Sequence, residues 1–141
     1  MTSGADLRTP QIVPISADDD VVRVRQLVRT VAVAAKLSLV DQTKLVTAAS
    51  ELARNTLVYG GGGGAEVAVV DGGRRKGVRI VFSDDGPGIA DVGLALTDGY
   101  TTGTGLGLGL SGARRLVDEF EIDTAPGSGT RVTVTKWTRS A

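Results

Sequence analysis

Glu51 and Asn55, in the stretch ELARN, stand four positions apart, and Thr47 and Tyr59 extend the same line. On a helix that spacing puts the side chains on one face. A glutamate can act as a general base. An asparagine amide oxygen can ligate Mg²⁺, which commonly takes one or two protein ligands and fills its octahedron with phosphate oxygens and water. The same spacing also describes an ordinary solvated helix face, so the pair gains meaning only from what else the chain carries.

A second group is SDDGPGI, Ser83 to Ile89, at the end of an alternating apolar stretch. Asp, Gly and Pro together make a turn. A carboxylate such as Asp84 at its mouth can accept a hydrogen bond from an exocyclic amine, which adenine has where guanine has a carbonyl oxygen. Facing guanine, a buried carboxylate would go unpaired, so the arrangement discriminates between the bases. A Ca²⁺ loop is excluded because Gly86 and Gly88 stand where oxygen-bearing side chains would be required.

A third group is TTGTGLGLGLSGARRL, Thr101 to Leu116, with glycine at every second position from Gly103 to Gly109. Each glycine loses about 0.5–1 kcal/mol relative to alanine in a regular element, so bare backbone must serve some purpose. The run is either a hinge or a phosphate cradle at a helix N-terminus, with N–H donors at Gly105, Gly107 and Gly109. It is not a dinucleotide fingerprint, because Leu108 or Leu110 falls at the third glycine position. It is not a Walker loop either, since the chain has no Gly-Lys-Ser/Thr and no lysine between Lys76 and Lys136.

The elements that must position these groups follow from periodicity. Residues 1–10 read as a flexible tail, and residues 11–141 as one domain of ordinary size. QIVPIS (Gln11 to Ser16) reads as a strand that Pro14 confines to an edge. A helix from Asp18 to about Leu37 carries Val24, Leu27, Val28, Val31, Ala34 and Ala35 on one face. The next runs from about Val40 to Tyr59, with Leu45, Ala48, Ala49, Leu52 and Ala53 as its stripe, and Gly60 to Gly64 end it. Ala65 to Asp71 and Lys76 to Asp84 form a hairpin. A loop from Gly86 to about Gly109, with one helical turn near Val92 to Leu96, has the length of a functional loop. A helix with Leu110, Ala113, Leu116, Val117 and Phe120 at core spacing follows, and then a closing hairpin, EIDTA and TRVTVTKW around PGSG. This order predicts an α+β two-layer sandwich: a mainly antiparallel mixed sheet with helices on one face.

Composition narrows the chemistry. Sixteen Lys and Arg balance sixteen Asp and Glu, leaving no net field for nucleic acid or an anionic membrane. With no cysteine and no histidine, the usual zinc sites and triads are excluded, while oxygen-ligated Mg²⁺ is not. Neither a signal peptide nor an apolar run of membrane-spanning length is visible, so a soluble cytoplasmic protein is expected.

Together, Glu51 and Asn55 in ELARN, Asp84-Asp85-Gly86-Pro87-Gly88, GTGLGLG and Gly127-Ser128-Gly129-Thr130 occur in an order that resembles the GHKL, or Bergerat-fold, ATPases and kinases over nearly the whole length. The resemblance implies ATP and Mg²⁺ as ligands. It assigns the metal to Asn55, the base to Glu51 and the adenine amine to Asp84, with Gly86 and Gly88 beside the base. It assigns the phosphates to Gly105, Leu106, Gly107, Leu108 and Gly109, and places Thr130 near the adenine. The glycine run then serves as both hinge and cradle, for a lid from about Ala90 to Thr104.

Within that family the chain looks closest to the RsbT-type switch kinases. These are serine/threonine kinases of bacterial stress signalling that phosphorylate STAS-domain proteins and, when released, activate a PP2C-type phosphatase. The alternative is the anti-sigma branch, which binds a sigma factor and more often has alanine where Leu52 and Thr56 stand here. A sensor histidine kinase would need a phosphoacceptor histidine, which this chain lacks. A free glutamate, with a pKa of about 4.3, is a weak base, so positioning by Glu51 is expected to matter more than basicity.

Overall fold

Alternation of apolar and polar residues makes the two longest strands, β2 (Gly63–Gly72) and β3 (Arg75–Asp84), which pair antiparallel from Gly63↔Asp84 to Gly72↔Arg75. Gly73, at φ 81°, supplies the left-handed residue of their turn. β4 (Glu119–Thr124) and β5 (Thr130–Trp137) form the closing hairpin, and β1 (Gln11–Ile15) pairs with β2. The result is a five-stranded sheet in the order β1-β2-β3-β5-β4. This computed structural model describes residues 7–89, 93, 96 and 109–139. Among them every strand pairing is antiparallel, so the sheet is not mixed. Pro14 lies in an edge strand, where its missing N–H leaves no gap in an interior ladder.

Helices α1 (Asp18–Ala34) and α2 (Leu39–Val58) pack against each other and onto the sheet, and α3 (Gly109–Arg115) packs against α2. Val24, Val28 and Val31 of α1 meet Leu45, Ala48, Ala49 and Leu52 of α2 over Ile15, Val67, Val78, Ile80, Phe82 and Val134 of the sheet. Full burial of each large apolar side chain contributes about 1.5–3 kcal/mol, which fixes the register of both helices on this face. Ala34, expected on the α1 stripe, is exposed instead, because Val24, Val28, Val31 and Ala35 define the buried line and Ala34 falls to one side of it. Among the described residues, no helix is long and apolar enough to cross a membrane.

Local polar groups set the helix ends. Asp20 Oδ2 reaches back to accept from the N–H groups of Ser16 (2.9 Å) and Ala17 (3.1 Å), closing the N-terminus of α1. Ser38 caps α2 by accepting from Asp41 N–H at 3.1 Å. Lys36, at φ 69°, turns the chain between the helices while Leu37 N–H bonds to Ala32 O at 3.0 Å. At the far end of α2, Asn55 O accepts from Tyr59 N–H (2.9 Å) and Gly60 N–H (3.2 Å), and Gly62 N–H donates to Thr56 O (3.0 Å).

Two expectations are corrected. The third helix stops at Arg115, and Phe120 belongs to β4, where DEFEIDT alternates with period two and finds a ladder partner in β5. The expected tail is shorter on its C-terminal side. Leu7 O accepts from Val69 N–H at 2.8 Å, and Arg8 pairs with Asp71 at 3.0 Å, so both are tied to β2. The turn expected near Val92 to Leu96 and the lid lie outside the described residues, apart from residues 93 and 96.

Candidate functional site

The last inward-facing row of the sheet contains two of the candidate residues, Asp84 and Thr130. Ile15, Gly63, Asp84, Thr130 and Thr124 are cross-strand neighbours in that order. Each stands two positions along its strand from a core residue such as Val13, Phe82 or Val132, and so projects to the same side. Asp84 and Thr130, 46 positions apart in sequence, are thereby brought side by side. The C-terminal end of α2, which carries Glu51 and Asn55, continues into the glycine segment that crosses to this row.

Asp84 is half-buried; its Oδ1 accepts from Gly86 N–H at 2.9 Å, and its Oδ2 has no partner among the described residues. That oxygen is a fixed acceptor with its capacity open, as an exocyclic amine requires. The glycines around it have a packing reason as well. A Cβ on Gly86 would lie 2.7 Å from Gly60 Cα, one on Gly88 (φ 76°) 2.0 Å from Ala125 O, and one on Gly129 (φ 77°) 2.2 Å from Asp84 O. Gly127 N–H donates to Pro87 O at 2.6 Å, so the DGPG and PGSG turns dock backbone to backbone.

Thr124, which sequence reasoning missed, joins these turns. Its Oγ1 accepts from Ile89 N–H (2.9 Å), donates to Gly129 O (2.8 Å) and meets Thr130 Oγ1 at 3.0 Å. With one proton and two lone pairs, the hydroxyl is then fully satisfied. In sequence Thr124 is simply one more threonine at a strand end, and nothing local marks it.

On α2, Glu51 and Asn55 are half-buried, flanked by the buried Leu52, Ala53 and Thr56. The Asn55 side-chain amide has no hydrogen-bond partner among the described residues. Gly109, at φ 68°, opens α3 beside α2, whereas Gly105, Leu106, Gly107 and Leu108 lie outside the described residues. An open carboxylate oxygen and an unpaired carboxamide suit an amine-bearing base and a hard cation. Among the described residues, no cluster of three or more acids could form a self-contained metal cage. A cation shared with phosphates needs only one or two protein ligands, which Asn55 can supply.

At the opposite end of α2 lies a second polar cluster that sequence reasoning also missed. Asp41 is 1% exposed and accepts from Arg139 Nε (2.7 Å) and Nη2 (2.9 Å), with Lys136 Nζ at 3.8 Å. Lys136 also faces Asp118 at 3.5 Å. The Arg139 hydrogen bonds, and then the Lys136 charge, outweigh burial and hold the Asp41 carboxyl below its usual range. These partners are 98 positions apart, a separation that no spacing rule detects.

Comparison with known proteins shows the family. Residues 40–139 match the family model described as histidine kinase-, DNA gyrase B- and HSP90-like ATPase. The serine/threonine-protein kinase RsbT of Bacillus subtilis is 42% identical over 127 residues, which cover 90% of this chain and 96% of that protein. The anti-sigma F factor of Clostridium novyi is 32% identical over 120 residues, 78% of this chain and 84% of that protein. A crystal structure of the RsbU and RsbW domains of a Mycobacterium tuberculosis protein shares the fold, with a TM-score of 0.63 at 23% identity. That match covers 94% of this chain and 33% of the other. The chain therefore belongs to the histidine kinase-, DNA gyrase B- and HSP90-like ATPase family and, within it, to the group of the RsbT serine/threonine-protein kinases.

Proposed function

We propose that this protein transfers the γ-phosphoryl group of ATP to a serine or threonine hydroxyl of a STAS-domain partner in bacterial stress signalling, and that it also binds and activates a PP2C-type phosphatase. The observation that carries the reading is that the segment from Gly60 to Gly63 joins the C-terminal half of α2, with Glu51 and Asn55, directly to the sheet row of Asp84 and Thr130. The relative at 42% identity, named as a serine/threonine-protein kinase, supports the same activity.

In this reading Asp84 Oδ2 accepts from the adenine amine, and Thr130, fixed by Thr124, borders the base. The Asn55 carboxamide oxygen is the protein ligand for Mg²⁺, which when bound neutralises phosphate charge in the transfer. Backbone N–H groups from Gly105 to Gly109 hold the phosphates, and Gly109 opens α3. Glu51 orients the partner's hydroxyl and receives its proton as the oxygen bonds to phosphorus and the bond to the ADP oxygen breaks.

Incubation with ATP, Mg²⁺ and candidate STAS proteins, followed by mapping of phosphoserine and phosphothreonine, tests the reading. Glu51→Ala is expected to bind ATP and fail to transfer; normal transfer would remove Glu51 from the role. The relative named as an anti-sigma factor favours a second reading, in which this chain binds a sigma factor and phosphorylates its antagonist. Recovery of a sigma factor in a pull-down, without a phosphatase, would favour that form.

A further inference from the structure

Gly60 occupies the space against which the Asp84 carboxylate rests. A Cβ built on Gly60 would lie 2.3 Å from Asp84 Cγ, 2.5 Å from its Cβ and 2.5 Å from Oδ2. No real Cβ tolerates such contacts, so an added methyl must displace the carboxylate or the segment. Gly60 is not among the residues of positive φ, unlike its neighbours Gly61 and Gly62, so it is required for room and not for backbone conformation. Its other side is closed too, because a Cβ on Gly86 would meet Gly60 Cα at 2.7 Å and Gly60 O at 2.8 Å.

The Asp84 side chain is short, and its Oδ1 is tied to Gly86 N–H at 2.9 Å. It can move away from position 60 only by giving up that bond and re-aiming Oδ2, the acceptor left open. Gly60 also belongs to α2 through its N–H, which donates to Asn55 O at 3.2 Å. One residue thus touches the base-reading aspartate with its Cα and the metal-holding asparagine with its amide.

We infer that Gly60 is a positioning residue for base selection: its bare Cα fixes the direction of Asp84 Oδ2, and with it the preference for a purine that carries an exocyclic amine over one that carries a carbonyl oxygen. The inference rests on the nucleotide reading above. A methyl at position 60 turns the carboxylate away, so ATP loses its acceptor while GTP no longer meets an opposed carboxylate. Binding of the phosphates and Mg²⁺ rests, in that reading, on Asn55 and the glycine loop, whereas the three atoms nearest the added methyl all belong to Asp84.

The experiment measures dissociation constants of the full chain for ATP, GTP and tripolyphosphate, each with Mg²⁺, in the wild type, Gly60→Ala, Asp84→Asn and Gly61→Ala. A hydrogen bond to a charged group is lost, so Gly60→Ala is expected to weaken ATP by about tenfold or more. GTP and tripolyphosphate should change little, and the ATP-to-GTP ratio should collapse toward that of Asp84→Asn. Gly61→Ala, at φ 75° with nothing within 4 Å of the added Cβ, strains the same segment without that contact and should keep the wild-type ratio. A folded Gly60→Ala with an unchanged ratio overturns the inference, as does equal loss of all three ligands. Should Gly60→Ala fail to fold, the wild-type Gly60 and Gly86 amide resonances must shift with ATP and not with tripolyphosphate; shifts with neither or with both overturn it. A wild type that binds no ATP would instead remove the nucleotide reading itself.

Discussion

At the N-terminal end of α2, Asp41 is shut from solvent and held by two bonds from Arg139, with Lys136 and Asp118 completing a closed charge network. At the other end, the Asn55 amide and Asp84 Oδ2 belong to half-buried residues and have hydrogen-bonding capacity unused by the described residues. The same helix and the same sheet thus end in a satisfied polar cluster and an unsatisfied one. Polar groups that stabilise a fold are filled by the fold, whereas groups that must bind something else are left open and add little stability until it arrives.

The largest break in this contrast comes from Asn55→Ala. Loss of the proposed metal ligand should lower phosphoryl transfer on the order of 10²- to 10³-fold. The melting temperature without nucleotide should stay the same or rise, since no internal side-chain bond is lost and alanine favours helix. ATP and Mg²⁺ should raise the wild-type melting temperature and scarcely move that of the variant. Asp41→Ala should do the reverse. It leaves Lys136, only 9% exposed at its side chain, with the partly exposed Asp118 as its one remaining carboxylate, and should cost about 3 kcal/mol in a denaturant melt. The folded fraction should bind ATP with wild-type affinity.

Thr124→Val sits between these cases, because Thr124 is a fully satisfied residue within the open end. Leaving Ile89 N–H and Gly129 O without their partner should cost about 2 kcal/mol of stability. ATP affinity should fall several-fold as Thr130 loses its anchor. An unchanged affinity would mean that the docked turns do not help to shape the site.

Much of the open end was legible in the sequence, and little of the closed one. Glu51 with Asn55 follows helix periodicity, and Asp84 with its glycines marks the end of an alternating strand, so local rules place these residues on their elements, while their roles come from the family resemblance alone. Even Pro14 correctly placed β1 at an edge. Phe120 was assigned to the helix because Leu116, Val117 and Phe120 also fit a helical spacing, and only pairing with β5 settles it as strand. Thr124, Gly60 and the Asp41–Arg139 pair depend on contacts between segments far apart in the chain, which carry no local signature. The family resemblance sets Gly86 and Gly88 beside the base, and in the structure Gly86 makes room for the backbone of Gly60 and Gly88 for that of Ala125.

The smallest expected effect separates charge pairing from burial at the closed end. Arg139 is 65% exposed at its side chain, so solvent screens its pairing, and Arg139→Ala should cost far less stability at neutral pH than Asp41→Ala although it removes both short bonds to Asp41. The pH dependence is the sharper readout. A carboxyl held below its unfolded pKa of about 3.9 gives stability that is fully present above that value and lost as pH falls through the folded one. The Asp20 carboxyl is lowered too, chiefly by the Ser16 N–H, and the Arg139 substitution leaves its partners in place. Subtracting the Arg139→Ala stability curve from that of the wild type therefore isolates the Asp41 contribution. The difference should be flat above about pH 5 and shrink below about pH 4 as Asp41 takes up its proton. A difference that stays constant down to pH 2 would mean that Arg139 stabilises by covering the cluster, not by pairing with the ionised Asp41.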